Sequence, residues 1–185
     1  VTIDGDTKLL SMPFLVIATQ NPVEIQGTFP LPEAQLDRFL IKTSMGYPDT
    51  KAGIDILKRF KEHNPLAELK AVVSAQDICE ASKIYSKVKV SDDILEYIIK
   101  ITEASRKHPS VHLGASPRGS LALLKAIQVY ALLKGRSFAT PDDVKAMAVP
   151  VLSHRIIPKG LSGEHVNAGE KIINDILVHT AVPLE

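Results

Sequence analysis

Three polar residues in this chain are of the right type, and in the right kind of place, to handle a phosphate. Asn21 closes the run Phe14-Leu-Val-Ile-Ala-Thr-Gln-Asn21 and is followed by Pro22. A continuous apolar run bounded by turn residues reads as a strand covered on both faces. In open α/β sheets, ligands collect beyond the carboxyl ends of such strands. An amide side chain there can hold a water or touch a phosphate, although a strand-end Asn is also an ordinary turn former. Arg38 follows Asp37 in Leu36-Asp-Arg-Phe39. Such a pair is commonly a surface ion pair of little worth. The alternative is an arginine finger that reaches a neighbouring subunit's γ-phosphate. Arg118 lies in Gly114-Ala-Ser-Pro-Arg-Gly119, at the expected start of a helix. A cation there opposes the helix dipole. It makes more sense if it meets an anion that the turn's backbone amides also bind.

Other chemistries find no support. His63, His108, His112, His154, His165 and His179 are scattered, without metal-ligand spacing, so no metal site is expected. There is no nucleophile elbow and no paired-carboxylate motif. No Gly-x-x-x-x-Gly-Lys-Ser/Thr occurs, so the chain cannot build a phosphate cradle of that type. The single cysteine, Cys79, reads as a small packing residue and fits a reducing compartment.

The elements that would position these residues fall into two halves. Asp4-Gly5 between β-prone runs predicts a hairpin. Residues 13–19 are the expected buried strand, and 23–32, with Gly27, Pro30 and Pro32, a loop. Residues 32–39 read as a short helix with proline in its first turn, and Leu40-Ile-Lys-Thr43 as a further strand. The break at Tyr47-Pro48-Asp49 places a domain boundary, with 1–46 α/β in character and 47–185 helical. Helices are expected over 50–64, over about 75–86 behind Ser74, and behind Ser91-Asp92-Asp93 with Ile94, Tyr97, Ile98 and Ile101 on one face. A further helix starts at Pro117, with Leu121, Leu124, Ile127 and Leu132 recurring, and stops at Gly135. Thr140-Pro141 starts another, and 165–179 is the last.

Bulk properties fit this plan. The 185 residues are 45% apolar, ample for a core, and carry a net charge of +1. That charge, with no basic patch, speaks against nucleic-acid work. No apolar run reaches the ~18 residues of a membrane span. The start, Val1-Thr-Ile-Asp-Gly-Asp6, has no signal-peptide pattern and no initiator methionine, so the sequence reads as a piece of something longer.

These segments together resemble the AAA+ ATPases, and specifically the MoxR family, through essentially the whole chain. Phe14 to Pro22 resembles the sensor 1 strand, with Asn21 in the sensor position. Gly27-Thr-Phe-Pro-Leu-Pro-Glu-Ala-Gln-Leu-Asp-Arg-Phe39 resembles the segment that supplies the arginine finger, Arg38. Gly114 to Gly119 resembles the sensor 2 segment of the lid, with Arg118 as the sensor. Gly135-Arg-Ser-Phe-Ala-Thr-Pro-Asp-Asp-Val144 and Val151-Leu-Ser-His-Arg-Ile156 are similar to the lid motifs that follow.

The resemblance implies a fold class: an α/β remnant of an AAA+ P-loop NTPase core followed by an all-α helical lid. It also implies a parent that uses ATP and Mg²⁺ at the subunit interfaces of a homo-hexamer. In that parent Asn21 would orient the attacking water, Arg38 would act in trans, and Arg118 would read the nucleotide for its own or the neighbouring subunit. The work would be remodelling or maturation of a protein partner, a metalloprotein or complex among the candidates, in the cytoplasm. Walker A and Walker B segments are absent from these 185 residues. The expectation is therefore a chain inactive by itself that binds no nucleotide tightly. Two alternatives stay open: a helical adaptor that never uses nucleotide, and a chelatase-like or helicase-like AAA+ relative.

Overall fold

The computed structural model describes residues 1–20, 31–62, 64–160 and 167–183. The chain forms two compact units. One comprises residues 1–18 and 44–82, the other residues 19–43 and 83–185. The stretch around Arg38 thus groups with the later helices.

In the first unit, β1 (Thr2–Ile3) and β2 (Asp6–Thr7) form an antiparallel hairpin, with Thr2 opposite Thr7 and Ile3 opposite Asp6. Asp4 and Gly5 form its two-residue turn, both at positive φ (52° and 88°), as the tight hairpin turn requires. The apolar run that follows departs from expectation. Residues 14–20 form no strand, and Phe14, Leu15, Val16 and Ile17 are 55–79% exposed. A strand exists only through a neighbour's hydrogen bonds, and among the described residues no strand pairs with this run. Helix α2 (Thr50–Glu62) is capped by Asp49, whose Oδ1 accepts from the Ala52 amide at 2.7 Å. Helix α3 (Ala75–Ala81) begins in a capping box between Ser74 and Asp77. It is shorter than expected, and a 3₁₀ turn follows at Tyr85–Lys87.

The second unit opens with the one-turn helix α1 (Glu33–Leu36) and is built on α4 (Asp92–Lys107), α5 (Pro117–Leu133), α6 (Pro141–Leu152) and α7 (Ala168–His179). The face expected on α4 is buried: Ile94, Tyr97, Ile98 and Ile101 are at most 4% exposed. They pack with Leu123 and Ile127 of α5, Val144, Val151 and Leu152 of α6, and Ile173 of α7. The α5 repeat is only partly buried: Ile127 lies in the core and Leu124 and Leu132 are half-buried. The buried side runs through Gly119, Ala122, Leu123, Ala126, Ile127 and Ala131, while Leu121 stays exposed. Small residues let α5 approach α6 closely, so alanine rather than leucine marks the interface. A short antiparallel pair, β3 (Val111–Leu113) with β4 (Ile157–Pro158), ties the loop after α4 to the chain after α6. Leu40–Thr43, expected as a strand, is irregular. Its Lys42 amide donates instead to the Pro150 carbonyl at the end of α6, at 2.8 Å.

Candidate functional site

Helix α1 and the start of α5 meet at one carboxylate. Asp37, the C-cap residue of α1, has Oδ1 3.3 Å from Arg155 Nε and Oδ2 4.0 Å from Arg118 Nε. The Ser116 hydroxyl makes long contacts to both oxygens, 3.5 and 3.4 Å. Ser116 is the N-cap residue of α5, yet its side chain makes no capping bond there. The helix therefore begins with Pro117 at its first position, no acidic residue in its first turn, and Arg118 58% exposed at its mouth. The negative charge at that end comes from outside the helix, from Asp37.

Arg38 stands apart from this network. It is exposed, and among the described residues its side chain makes no ion pair or hydrogen bond. The adjacent Asp37 and Arg38 do not pair with each other; Asp37 turns inward to Arg155 and Arg118. Asn21 lies outside the described residues, so its placement cannot be joined to theirs.

The Gly114–Gly119 segment is pinned to α4. Arg106 Nε donates to the Ala115 carbonyl at 2.9 Å, and the Ala115 amide donates to Ser105 Oγ at 3.0 Å. Gly114 crosses so close to α4 that a Cβ would stand 2.6 Å from the Arg106 Cα. Only glycine permits that crossing.

Beneath Asp37 lies Arg155, its side chain 2% exposed. Its Nη2 donates to the carbonyls of Asp37 (3.3 Å) and Phe39 (2.5 Å), and its Nη1 to those of Leu40 (3.2 Å) and Val151. Arg155 Nε is 3.3 Å from Asp37 Oδ1 but poorly aligned, so this is an ion pair rather than a directed hydrogen bond. His154 Nε2 lies 3.1 Å from the Phe39 carbonyl. The same Nε2 lies 3.0 Å from Arg155 Nη1, which can only donate, so its two contacts call for opposite tautomers. Nδ1 is buried without a partner. Burial pushes the His154 imidazole below its ordinary value, and the nearby charges of Arg155 and Lys42 push the same way, against the Phe39 bond and Asp37. The neutral form of His154 is therefore favoured. Among the described residues no cluster of His, Cys, Asp and Glu could hold a metal ion, and no helix is long and apolar enough to cross a membrane.

Known proteins match this chain along its length. Residues 103–176 match the AAA lid domain family, and residues 1–41 match the ATPase family associated with various cellular activities (AAA). The uncharacterized protein YeaC of Bacillus subtilis is 44% identical over 185 residues, covering 100% of this chain and 58% of that protein. Chaperone MoxR1 of Mycobacterium tuberculosis is 35% identical over 192 residues, 99% of this chain and 50% of that protein. A crystal structure of a candidate ATPase from Cytophaga hutchinsonii superposes with a TM-score of 0.87 at 33% identity, covering 100% of this chain and 58% of that one. The chain belongs to the MoxR-like AAA+ family. It spans about half the length of the curated relatives it matches.

For this MoxR-like chain the fold class is that read from the sequence: part of an AAA+ core with a helical lid. The sequence motifs point to Arg118 but not to the network of Asp37, Arg155 and His154 beside it. In the sequence Asp37 reads as a neighbour of Arg38, His154 as one of six scattered histidines, and His154 and Arg155 together as part of a lid motif. The available signal was a pair of polar residues, His154-Arg155, embedded between Val151-Leu152 and Ile156-Ile157. A buried arginine in such a setting demands acceptors.

Proposed function

We propose that this chain carries the sensing and trans-acting side of an ATP-hydrolysing site within a larger MoxR-like AAA+ protein. The observation that carries this reading is the division of labour at Asp37. The carboxylate is engaged by Arg155 and Arg118, while Arg38 next to it is exposed with no partner among the described residues. An arginine held out from an anchored neighbour suits a guanidinium that completes a phosphate site on another subunit. Such a group stabilises charge only in the transition state and contributes roughly 10³–10⁵ in rate.

Arg118 contacts Asp37, the residue that precedes Arg38 in the chain. In this reading Arg118 acts at the subunit interface alongside the finger. The uncapped start of α5 suits the same anion. Mg²⁺ is a different matter. The nearby carboxylate of Asp37 is occupied by arginine, so the acid that would organise the metal must lie elsewhere. Asn21 orients the attacking water in this scheme. The wider role is remodelling of a protein partner by a ring, a homo-hexamer, in the cytoplasm. Residues 1–46 would belong to its core and 47–185 to its lid.

The test is kinetic. In the full-length protein, Arg38→Ala lowers kcat by about 10³-fold or more, with ATP still bound. Mixing Arg38→Ala subunits with subunits defective in their own phosphate loop restores turnover at mixed interfaces. Residues 1–185 alone hydrolyse no ATP above background. Full activity of the Arg38→Ala protein would rule the finger out.

A further inference from the structure

We propose that Arg155 is a positioning residue for Arg38, with His154 as its assistant, so that the finger segment moves as part of the lid. The inference rests on the reading of Arg38 as an arginine finger.

The argument begins with backbone accounting. A chain that leaves a helix and forms no strand must find partners for its carbonyls and amides, or leave them to water. Between Asp37 and Lys42 those partners come from the α6 end. Arg155 takes the carbonyls of Asp37, Phe39 and Leu40, His154 Nε2 sits against both Phe39 O and Arg155 Nη1, and the Pro150 carbonyl accepts from the Lys42 amide. The guanidinium also carries the counter-charge for the Asp37 carboxylate. Every one of these contacts lies within four residues of Arg38, on one side or the other. None uses the Arg38 side chain.

Arginine suits this task for a reason of shape. Its planar fork spreads five donors in fixed directions, so one side chain can fix several carbonyls at once. A lysine in the same place offers a compact charge on a flexible stem and cannot reproduce the fork. The stem of Arg155 is fixed as well. Gly119, the residue after Arg118, lies so near that a Cβ there would stand 3.4 Å from Arg155 Cδ. Arg155 is therefore wedged between the turn that carries Arg118 and the segment that carries Arg38. A movement of the α5–α6 pair displaces both arginines together. Misplacement of a reacting group by about 1 Å can cost about 10²-fold in rate, so a clasp at the base of a long, exposed side chain sets its catalytic value.

Two measurements test this. In residues 1–185, Arg155→Lys raises amide exchange at Lys42 and tryptic cleavage after Arg38 by about 10-fold, one factor of ten being 1.4 kcal/mol in an opening equilibrium. Exchange in α4 and α5 stays unchanged. In the full-length protein, Arg155→Lys lowers kcat by about 10²-fold with KM for ATP unchanged, and adds nothing when Arg38 is already alanine. Asp37→Asn serves as a second variant if Arg155→Lys does not fold, with the same pattern expected. An unchanged Lys42 amide, an unchanged kcat, or losses that multiply with those of Arg38→Ala overturn the clasp. Those outcomes leave the finger reading intact if Arg38→Ala is itself inactive. Full activity of Arg38→Ala removes both.

Discussion

Helix α6 has a buried ion pair at each end, and the two are built in opposite ways. At its start, the buried member is the acid. Asp143 is 2% exposed and Arg136 is 28% exposed, joined by bonds of 2.5 and 2.8 Å in a bidentate fork. The amide and hydroxyl of Thr140 complete the carboxylate, at 2.8 and 3.0 Å. Just beyond its other end, the buried member is the base. Arg155 is 2% exposed and Asp37 is 26% exposed. Each sign suits the helix dipole at its own end. The first pair spans seven residues and is fully satisfied. The second spans over a hundred, is misaligned at Nε, and has an orphaned His154 Nδ1 beside it. One contact completes a fold locally. The other joins distant segments with bonding capacity to spare, as suits a joint that shifts.

The asymmetry predicts which partner hurts more when removed. The largest effect falls at the satisfied end. Arg136→Met strands the Asp143 carboxylate out of water, and the melting temperature should fall by about 10 °C. An equal fall for Asp143→Asn would break the comparison, because there Arg136 can turn to solvent. At the far end, Asp37→Ala leaves Arg155 its carbonyl acceptors. The expected loss is about 2 kcal/mol by urea denaturation, smaller than at the start of the helix.

Acid should separate the two ends by pH. The folded His154 pKa lies below its ordinary 6.5, chiefly because of burial. The unfolded chain therefore takes up a proton first, and stability falls as pH drops from about 6.5. Asp143 behaves differently. Burial pushes its carboxyl up, but bonds from Arg136 and Thr140 outweigh this and hold it below 3.8. Its contribution is present above 3.8 and is lost only as pH falls through the lower folded value. A melting series from pH 7.5 to 5.0 should show a decline that His154→Gln reduces and Arg136→Met does not. The smallest effect belongs to Arg118. Exposed and 4.0 Å from Asp37, it should change stability by less than about 0.5 kcal/mol when made alanine, by the same denaturation. A large loss would make Arg118 part of the clasp rather than an exposed neighbour of it.

What the sequence showed clearly was local. The Asp4-Gly5 turn, the caps at Ser74 and Ser91, the Thr140-Pro141 helix start and the Ile94–Ile101 face depend on neighbours a few residues away, and all appear as expected. The repeat of Leu121, Leu124, Ile127 and Leu132 marks only part of the buried side of α5, because close packing on α6 also selects alanine. Two expected strands were not formed, since an apolar run says only that the chain wants burial, and its partner decides the backbone. The placement of Arg118 at a helix start was legible from Ser116-Pro117. The joining of Asp37 to Arg155 was not, because nothing local to either residue encodes a contact across so long a separation.

The bare run from Phe14 to Ile17 has a practical consequence. Four adjacent apolar side chains, 55–79% exposed and without a pairing strand among the described residues, carry no charge to deter a second copy. Such a window is a template for intermolecular β-pairing. Purified preparations of these 185 residues should cloud as concentration rises. A lysine at Val16 should keep them clear without touching the lid.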